Sequence, residues 1–283
     1  MKKLLLGIVA LIICIVAVYF FGIVNRYIFT SAPESGADFK IAHINAGGFT
    51  AVSPDSRSTV KMMLAAADSN DVDALFIQEY RPAWNFPEKD FIALARKHYP
   101  YVSVEDECAV LSKFPIISHE RRSYADQSDR FSAVLLSVNG REVRVFAPHL
   151  RTTGLNYFGY GRDLGNASNA SRARGMVRQN KQIRLAQAES LRDAVNYSLA
   201  PTIVAGDFNS LPWSRAMRKV MRVYLKDSFL KKGHGKGSTY RSMKDMARID
   251  YILYDMHFEC VDAEILPDEL SDHRMITASF RFK

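Results

Sequence analysis

Cysteine is scarce in this chain of 283 residues: there are three, at Cys14, Cys108 and Cys260, and no Cys-x-x-Cys pair. That excludes a cysteine-built zinc site and the disulfide framework of a small secreted domain, and it favours buried free thiols at Cys108 and Cys260 over a bridge between them. There is no internal repeat and no low-complexity tract. The one glycine-rich stretch, Gly233-His234-Gly235-Lys236-Gly237-Ser238-Thr239, lacks the Gly-Lys-Ser/Thr spacing of a nucleotide-binding loop. It is expected to be a solvated basic loop.

Long uncharged apolar runs are also missing, with one exception. Leu4 to Val24 holds 21 residues without a charge. As a helix, at about 1.5 Å per residue, it spans roughly the 30 Å of a bilayer's hydrocarbon core. A signal peptide's apolar region is about 7–15 residues long and leads into small residues. Here the run is longer and closes on Tyr19-Phe20-Phe21. The expectation is an uncleaved signal anchor over residues 1–30, with the span at about 4–24. Lys2 and Lys3 stay in the cytoplasm, and the rest of the chain faces the periplasm or exterior. Residues 31–37 read as a tether, and 38–283 as one large α/β domain.

The net charge is +8, of which Lys2, Lys3 and Arg26 hold three, leaving about +5 for the remainder. That suits an anionic partner, a phosphodiester or an anionic lipid surface, and serves solubility equally well.

Short strand-like runs recur along the domain at Phe39–Ile44, Ala74–Ile77, Ala109–Leu111, Ser132–Val138, Val143–Ala147, Thr202–Ala205, Ile249–Tyr254 and Met275–Phe280. Between some of them lie helical patterns: Thr59–Ala67, with Ser56 or Ser58 as N-cap, Glu88–Lys97, Ser214–Val223, and a long one from about Arg172 to Val195. In the last, Met176, Ile183, Leu191, Ala194 and Val195 share one face. Arg174, Arg178, Lys181 and Arg192 share the opposite one, which is expected to be solvated. Hairpin-like and helix-separated strands together predict an α/β sandwich of four layers, two mixed β-sheets flanked by helices. Thr152 to Ser171 reads as a long polar loop.

What this chain does have is polar residues at the ends of apolar strands. Ile41-Ala42-His43-Ile44 ends in Asn45. Leu75-Phe76-Ile77-Gln78 ends in Glu79. Val145-Phe146-Ala147-Pro148 ends in His149. Thr202 to Ala205 ends in Gly206-Asp207-Phe208-Asn209, where Asp207 and Asn209 emerge on the same side if the strand stays extended. Asp250 sits within Arg248-Ile249-Asp250-Tyr251-Ile252-Leu253, and Ser271-Asp272-His273 precedes the last strand. Each has a bland reading. Asn45, Asp207, Asn209 and Asp272 are turn formers, Asp250 suits an ion pair near Arg248, and His149 suits a satisfied, half-buried histidine. Burying so many polar groups is costly unless they meet one another or a metal, and Glu79 after four apolar residues suits a hard cation.

In this ordered set, with Leu111-Ser112-Lys113-Phe114-Pro115-Ile116 between Glu79 and His149, the chain resembles the deoxyribonuclease I-like endonuclease/exonuclease/phosphatase superfamily. Thr152-Thr153 after His149-Leu150-Arg151, and Trp213-Ser214 after Leu211-Pro212, look like its membrane-anchored bacterial members. The Trp/Cys/Asp/Arg signature of its inositol phosphatases is absent. The resemblance implies Mg²⁺ (or Mn²⁺), with Glu79 as main ligand and Asn45 and Asp272 close by. It implies that Asp207 orients and deprotonates the attacking water while Asn209 bonds the phosphate. His273, held by Asp250, would stabilise the scissile phosphate. His149 would touch the phosphate or assist the leaving group. The family pattern names no partner for it here, and Glu107 or Asp106 is a guess from the sequence. The implied activity is a phosphodiesterase or nuclease working by in-line water attack. The alternative is a phospholipid or sphingolipid head-group hydrolase at the membrane surface, and a third reading is a non-catalytic phosphate-binding module. The partners expected are the phosphodiester substrate and the membrane, with no protein partner.

Overall fold

The computed structural model describes residues 7–16, 34–50, 55–81, 86–125, 129–154, 167–234, 237–241 and 247–283. In chain order the elements are α1 (residues 7–16), β1 (Phe39–Asn45), α2 (Ser56–Ser69), β2 (Ala74–Gln78), α3 (Glu88–Ala95), β3 (Tyr101–Glu105), β4 (Cys108–Ser112), β5 (Ile116–Ser123), β6 (Arg130–Val138) and β7 (Arg141–Ala147). There follow α4 (Ala167–Asn196), β8 (Thr202–Asp207), α5 (Arg215–Val220), β9 (Lys226–Asp227), α6 (Ser228–Lys232), β10 (Gly233–His234), β11 (Asp250–Tyr254), β12 (Phe258–Ile265) and β13 (Ile276–Phe282).

The strands form two sheets. One has seven strands in the order β10-β12-β13-β1-β2-β4-β3, the other six in the order β5-β6-β7-β8-β11-β9. Both are mixed: β1 and β2 run parallel in the first, β7 and β8 in the second, and their remaining neighbours are mostly antiparallel. Strand alternation builds the layers. Phe39 and Ile41 point into the core between the sheets, where they join Phe76, Val134, Val145, Ile203 and Ile252. Ala42 and Ile44 point the other way, onto Val60, Met63 and Leu64 of α2 and Phe91 of α3. On the far side, Ala188 and Leu191 of α4 and Met217 and Val220 of α5 cover Phe146, Val204 and Leu253. The result is the predicted helix–sheet–sheet–helix stack. Strands covered on both faces read as mainly apolar runs, and this is why β1, β2, β8 and β11 were legible.

The exceptions have physical causes. β3 and β5 lie at sheet edges, half exposed, with Ser118, His119, Glu120, Arg121 and Arg122 in place of an apolar run. Asp55, not Ser56 or Ser58, caps α2: its carboxylate accepts from the Arg57 backbone N–H at 3.1 Å and from the Ser58 hydroxyl. α4 begins at Ala167, so the expected loop from Thr152 ends in helix, while residues 155–166 lie outside the described part. Within α4, Leu191 and Val195 are buried and Met176, Ile183 and Ala194 half-buried; Arg174, Arg178 and Lys181 are exposed as expected, whereas Arg192 is half-buried and paired with Glu189 and Asp193. Gly233 and His234 are not loop but strand, paired with Ala263 and Glu264. Cys108 and Cys260 are buried free thiols, and burial pushes them up to about 11 and about 12. The expected span over 4–24 falls largely outside the described residues. Its described part, α1, is helical, and no described helix is long and apolar enough to cross a membrane.

One side chain joins the sheets away from their apolar core. His119 on β5 lies 3.0 Å from Ser132 Oγ through Nε2 and 3.0 Å from Ser103 Oγ, on β3 of the other sheet, through Nδ1. Burial lowers this imidazole to about 4. The unfolded chain therefore binds a proton there that the folded chain refuses between about pH 6.5 and 4, so stability falls as pH drops through that window. Over the whole window the contribution is roughly 3 kcal/mol. In His119→Gln, urea denaturation at a series of pH values should show that much less acid-side loss than the parent protein.

Candidate active site

The sandwich brings the polar strand ends to one rim. β1 and β2 run parallel and finish together, with Asn45 opposite Gln78. β7 and β8 also run parallel, and just past β7 His149 bridges to Asp207 at the end of β8. β11 is antiparallel to β8, so its first residue, Asp250, sits opposite Asp207. His273 approaches just before β13, bridging to Tyr240.

Asn45 ties the two sheets together here. Its Nδ2 donates to Glu79 Oε1 at 3.0 Å and to Asp207 Oδ2 at 3.1 Å. Gln78 does the same one residue earlier on β2: its Oε1 accepts from Asp207 N at 2.9 Å, and its Nε2 donates to the Pro148 carbonyl at 2.5 Å. Extension does not persist past Asp207. Asn209 turns left-handed at φ 46° and folds back, so that its own N–H reaches Asp207 Oδ1 at 2.7 Å and its Nδ2 reaches Leu150 O at 2.9 Å. Glu79 is likewise left-handed, at φ 50°. Both conformations are unfavourable for residues with a Cβ, and such strain persists only where surrounding contacts enforce it.

Asp250 is fully buried between two imidazoles. His273 Nδ1 is 2.8 Å from Oδ2, and His43 Nε2 is 3.2 Å from Oδ1. The Arg248 pairing open to Asp250 does not form, because Arg248 makes a two-pronged pair with Asp227 at 2.8 and 2.7 Å. Nor do Glu107 and Asp106 serve His149. Arg81 takes Glu107 at 2.7 and 2.8 Å, and Arg121 takes Asp106. His149 Nε2 instead faces Glu79 Oε1 at 3.5 Å and Asp207 Oδ2 at 3.7 Å. Asp272, bonded to the Ser271 hydroxyl at 3.1 Å, lines the same cleft of about 600 Å³ with Arg81, Arg151 and Tyr240.

The facing carboxylates are driven apart electrostatically. Burial, with the charge of Asp250 behind it, raises Asp207. Burial would raise Asp250 too, but the His273 and His43 imidazoles outweigh it and hold Asp250 below the usual carboxylate range. Burial pulls His273 down, yet the Asp250 carboxylate lifts it to about 10, so the ring carries a proton at neutral pH. The two facing acids are thus pushed in opposite directions, Asp207 toward holding a proton and Asp250 toward holding its charge.

The donors present suit a hard divalent cation. Asp207, Asp250 and His273 cluster with ligand atoms within 4.8 Å of one another. Both Asp250 oxygens and His273 Nδ1 are already engaged with each other or with His43, and both Asp207 oxygens accept from Asn45 or Asn209. The oxygens of Glu79, Asn45 and Asp272 are therefore the better donors, since Mg²⁺ and Mn²⁺ prefer carboxylate and amide oxygen. All eight residues singled out in the sequence meet at this cleft or directly behind it. Gln78 and His43 were not singled out, although His43 falls on the Phe39, Ile41, Asn45 face of β1, which is the signal that identifies it.

A double sheet that converges carboxylates, an amide and protonated histidine on one polar cleft is the architecture of a phosphoester hydrolase. The chain belongs to the Endonuclease/Exonuclease/phosphatase family, whose model matches residues 42–273. No curated protein matches it in sequence. Among solved structures it is similar to an endonuclease/exonuclease/phosphatase family protein from Leptotrichia buccalis C-1013-b (TM-score 0.60, 13% identity, 86% of this chain and 100% of that one). It is similar also to sphingomyelinase C from Streptomyces griseocarneus (0.57, 17%, 85% and 98%) and to the human Nocturnin catalytic domain (0.58, 17%, 87% and 94%). At these identities the likeness is one of fold.

Gly206, just before Asp207, packs tightly against Pro148 of the His149 segment. A Cβ there would press on the Pro148 carbonyl and lie 2.8 Å from the Pro148 ring Cδ. Gly206→Ala should cost about 1–3 kcal/mol in urea denaturation, as overpacking typically does. It should also lower phosphoester hydrolysis by displacing His149.

Proposed function

We propose that this protein is a divalent-metal-dependent phosphodiesterase that cleaves phosphodiester bonds by in-line attack of water. The observation that carries the reading is the Asn45 amide bridging Glu79 and Asp207. It fixes Glu79, the ligand assigned to the metal, beside Asp207, a carboxylate whose affinity for protons is raised. Asp207 accepts the proton of the attacking water, and a raised carboxylate is the better base for that step. Asn209 holds Asp207 in place, its Nδ2 donating to Asp207 Oδ2 and Leu150 O, and gives up one of these bonds when it bonds the phosphate. His273, protonated and backed by Asp250, offsets the negative charge that builds on the phosphate oxygens. His149 stands across the cleft, near the leaving group. Glu79, with Asn45 and Asp272, would hold Mg²⁺ or Mn²⁺, which when bound would neutralise charge at the phosphate.

The membrane reading belongs to the same proposal. Residues 1–30 form a signal anchor, 31–37 a tether and 38–283 the catalytic domain, which faces the periplasm or exterior as in membrane-anchored bacterial members of the family. It is supported by α1, where Ile8, Leu11, Ile13, Ile15 and Val16 are about half exposed or more and call for a lipid cover. That placement also favours, as a second reading, a phospholipid or sphingolipid head group as the diester.

The full-length chain in detergent should hydrolyse bis-p-nitrophenyl phosphate with Mg²⁺ or Mn²⁺ and stop when EDTA is added. Asp207→Ala and His273→Ala should each lower kcat by about 100-fold or more. Near-parental rates in either variant would refute the assignment. A panel of plasmid DNA, RNA and sphingomyelin vesicles separates the two diester classes, since nucleic acid predicts a steep loss of rate with salt.

A further inference from the structure

We propose that His43 is a positioning residue for His273, acting through Asp250: two imidazoles grip the two oxygens of one buried carboxylate, and the second grip aims the first. The inference rests on the reading of His273 and Asp250 given under the proposed function.

His43 has no solvent exposure and sits in the middle of β1, with Phe76 and Ile276 opposite it on the neighbouring strands. A polar ring in such a place is costly unless its hydrogen bonds are met. Only one of its nitrogens is met. Nε2 donates to Asp250 Oδ1 at 3.2 Å, while the buried Nδ1 has no hydrogen-bond partner. An apolar side chain would fill the space without stranding a nitrogen. The single polar task of His43 is therefore its bond to Asp250.

That bond has a directional consequence. Asp250 Oδ2 accepts from His273 Nδ1 at 2.8 Å, and the Asp250 backbone N–H is tied to Thr239 Oγ1 at 3.1 Å. The terminal torsion of an aspartate is soft, so a carboxylate held on one oxygen alone can swing about its Cβ–Cγ bond. A donor on the other oxygen fixes the carboxylate plane, and with it the line along which Oδ2 meets the His273 ring. The other end of that ring, Nε2, lies 3.9 Å from Asp207 Oδ2, at the cleft. His43 belongs to the seven-stranded sheet, as does β13 just after His273, and Asp250 to the six-stranded one, so both imidazoles grip the carboxylate across the gap between the sheets.

The test uses the full-length chain in detergent with saturating Mg²⁺. His43→Leu should lower kcat for bis-p-nitrophenyl phosphate by about tenfold while moving KM less than about twofold, as a misaimed group costs rate more than binding. His43→Gln, whose amide nitrogen can donate from a similar point, should recover most of the loss. In a His273→Ala background His43→Leu should cause no further fall, because there is no ring left to aim. A parental kcat in His43→Leu, a failure of Gln to recover it, or a further fall in the His273→Ala background overturns the proposal. The same question is read without turnover from the His273 Nδ1–H resonance of ¹⁵N-histidine-labelled protein. It should be retained in His43→Gln and shifted or broadened in His43→Leu. An unchanged resonance in His43→Leu, or its loss in a folded His43→Gln, overturns the proposal, and the Gln variant decides alone if Leu does not fold. Absence of hydrolysis in the parent protein would count against the proposed function and leave the resonance to decide on His43.

Discussion

Asp207 and Asp250 face each other across one ladder of a buried sheet, and the arrangement of the rim follows from keeping both there. Two carboxylates out of water repel, and each is costly to bury alone. The fold resolves this by giving them different company. Asp250 receives two imidazoles, one of them protonated. Asp207 receives amide donors from Asn45 and Asn209 and its own backbone bond to Gln78. Amides leave a carboxylate's affinity for protons less altered than a cation does, and the two acids are driven in opposite directions as a result.

This division explains why the site needs both sheets. Asn45, Gln78 and His43 come from the seven-stranded sheet, whereas Asp207 and Asp250 come from the six-stranded one. Their hydrogen bonds cross the same gap that the apolar core fills farther down. The chemistry sits where that core runs out, and the strand directions bring the needed ends to one rim.

Much of this was legible in the chain because β1, β2, β8 and β11 are covered on both faces and announce themselves as apolar runs that stop at a polar residue. What could not be read depends on pairing. The partner guessed for His149 was wrong because Arg81 and Arg121, distant in sequence, claim Glu107 and Asp106 first. The edge strands β3 and β5 carry half-exposed polar residues and lack the apolar signature. The shared side of Asp207 and Asn209 was foreseen through an extended strand, but the chain reaches it through a left-handed turn. His43 lay in view on the inward face of β1, yet a buried histidine declares its role only through the residue it meets.

The left-handed backbones at Glu79 and Asn209 carry an implication for how such a chain evolves. Glycine would relax the main chain at either position and remove the side chain that lines the cleft. Stability and activity therefore pull against each other at these two codons, as they commonly do at working sites. A lineage released from the need for turnover would be free to drift toward glycine there while keeping its fold. Relatives with glycine at both positions would be the natural place to look for descendants that kept the sandwich and lost the enzyme.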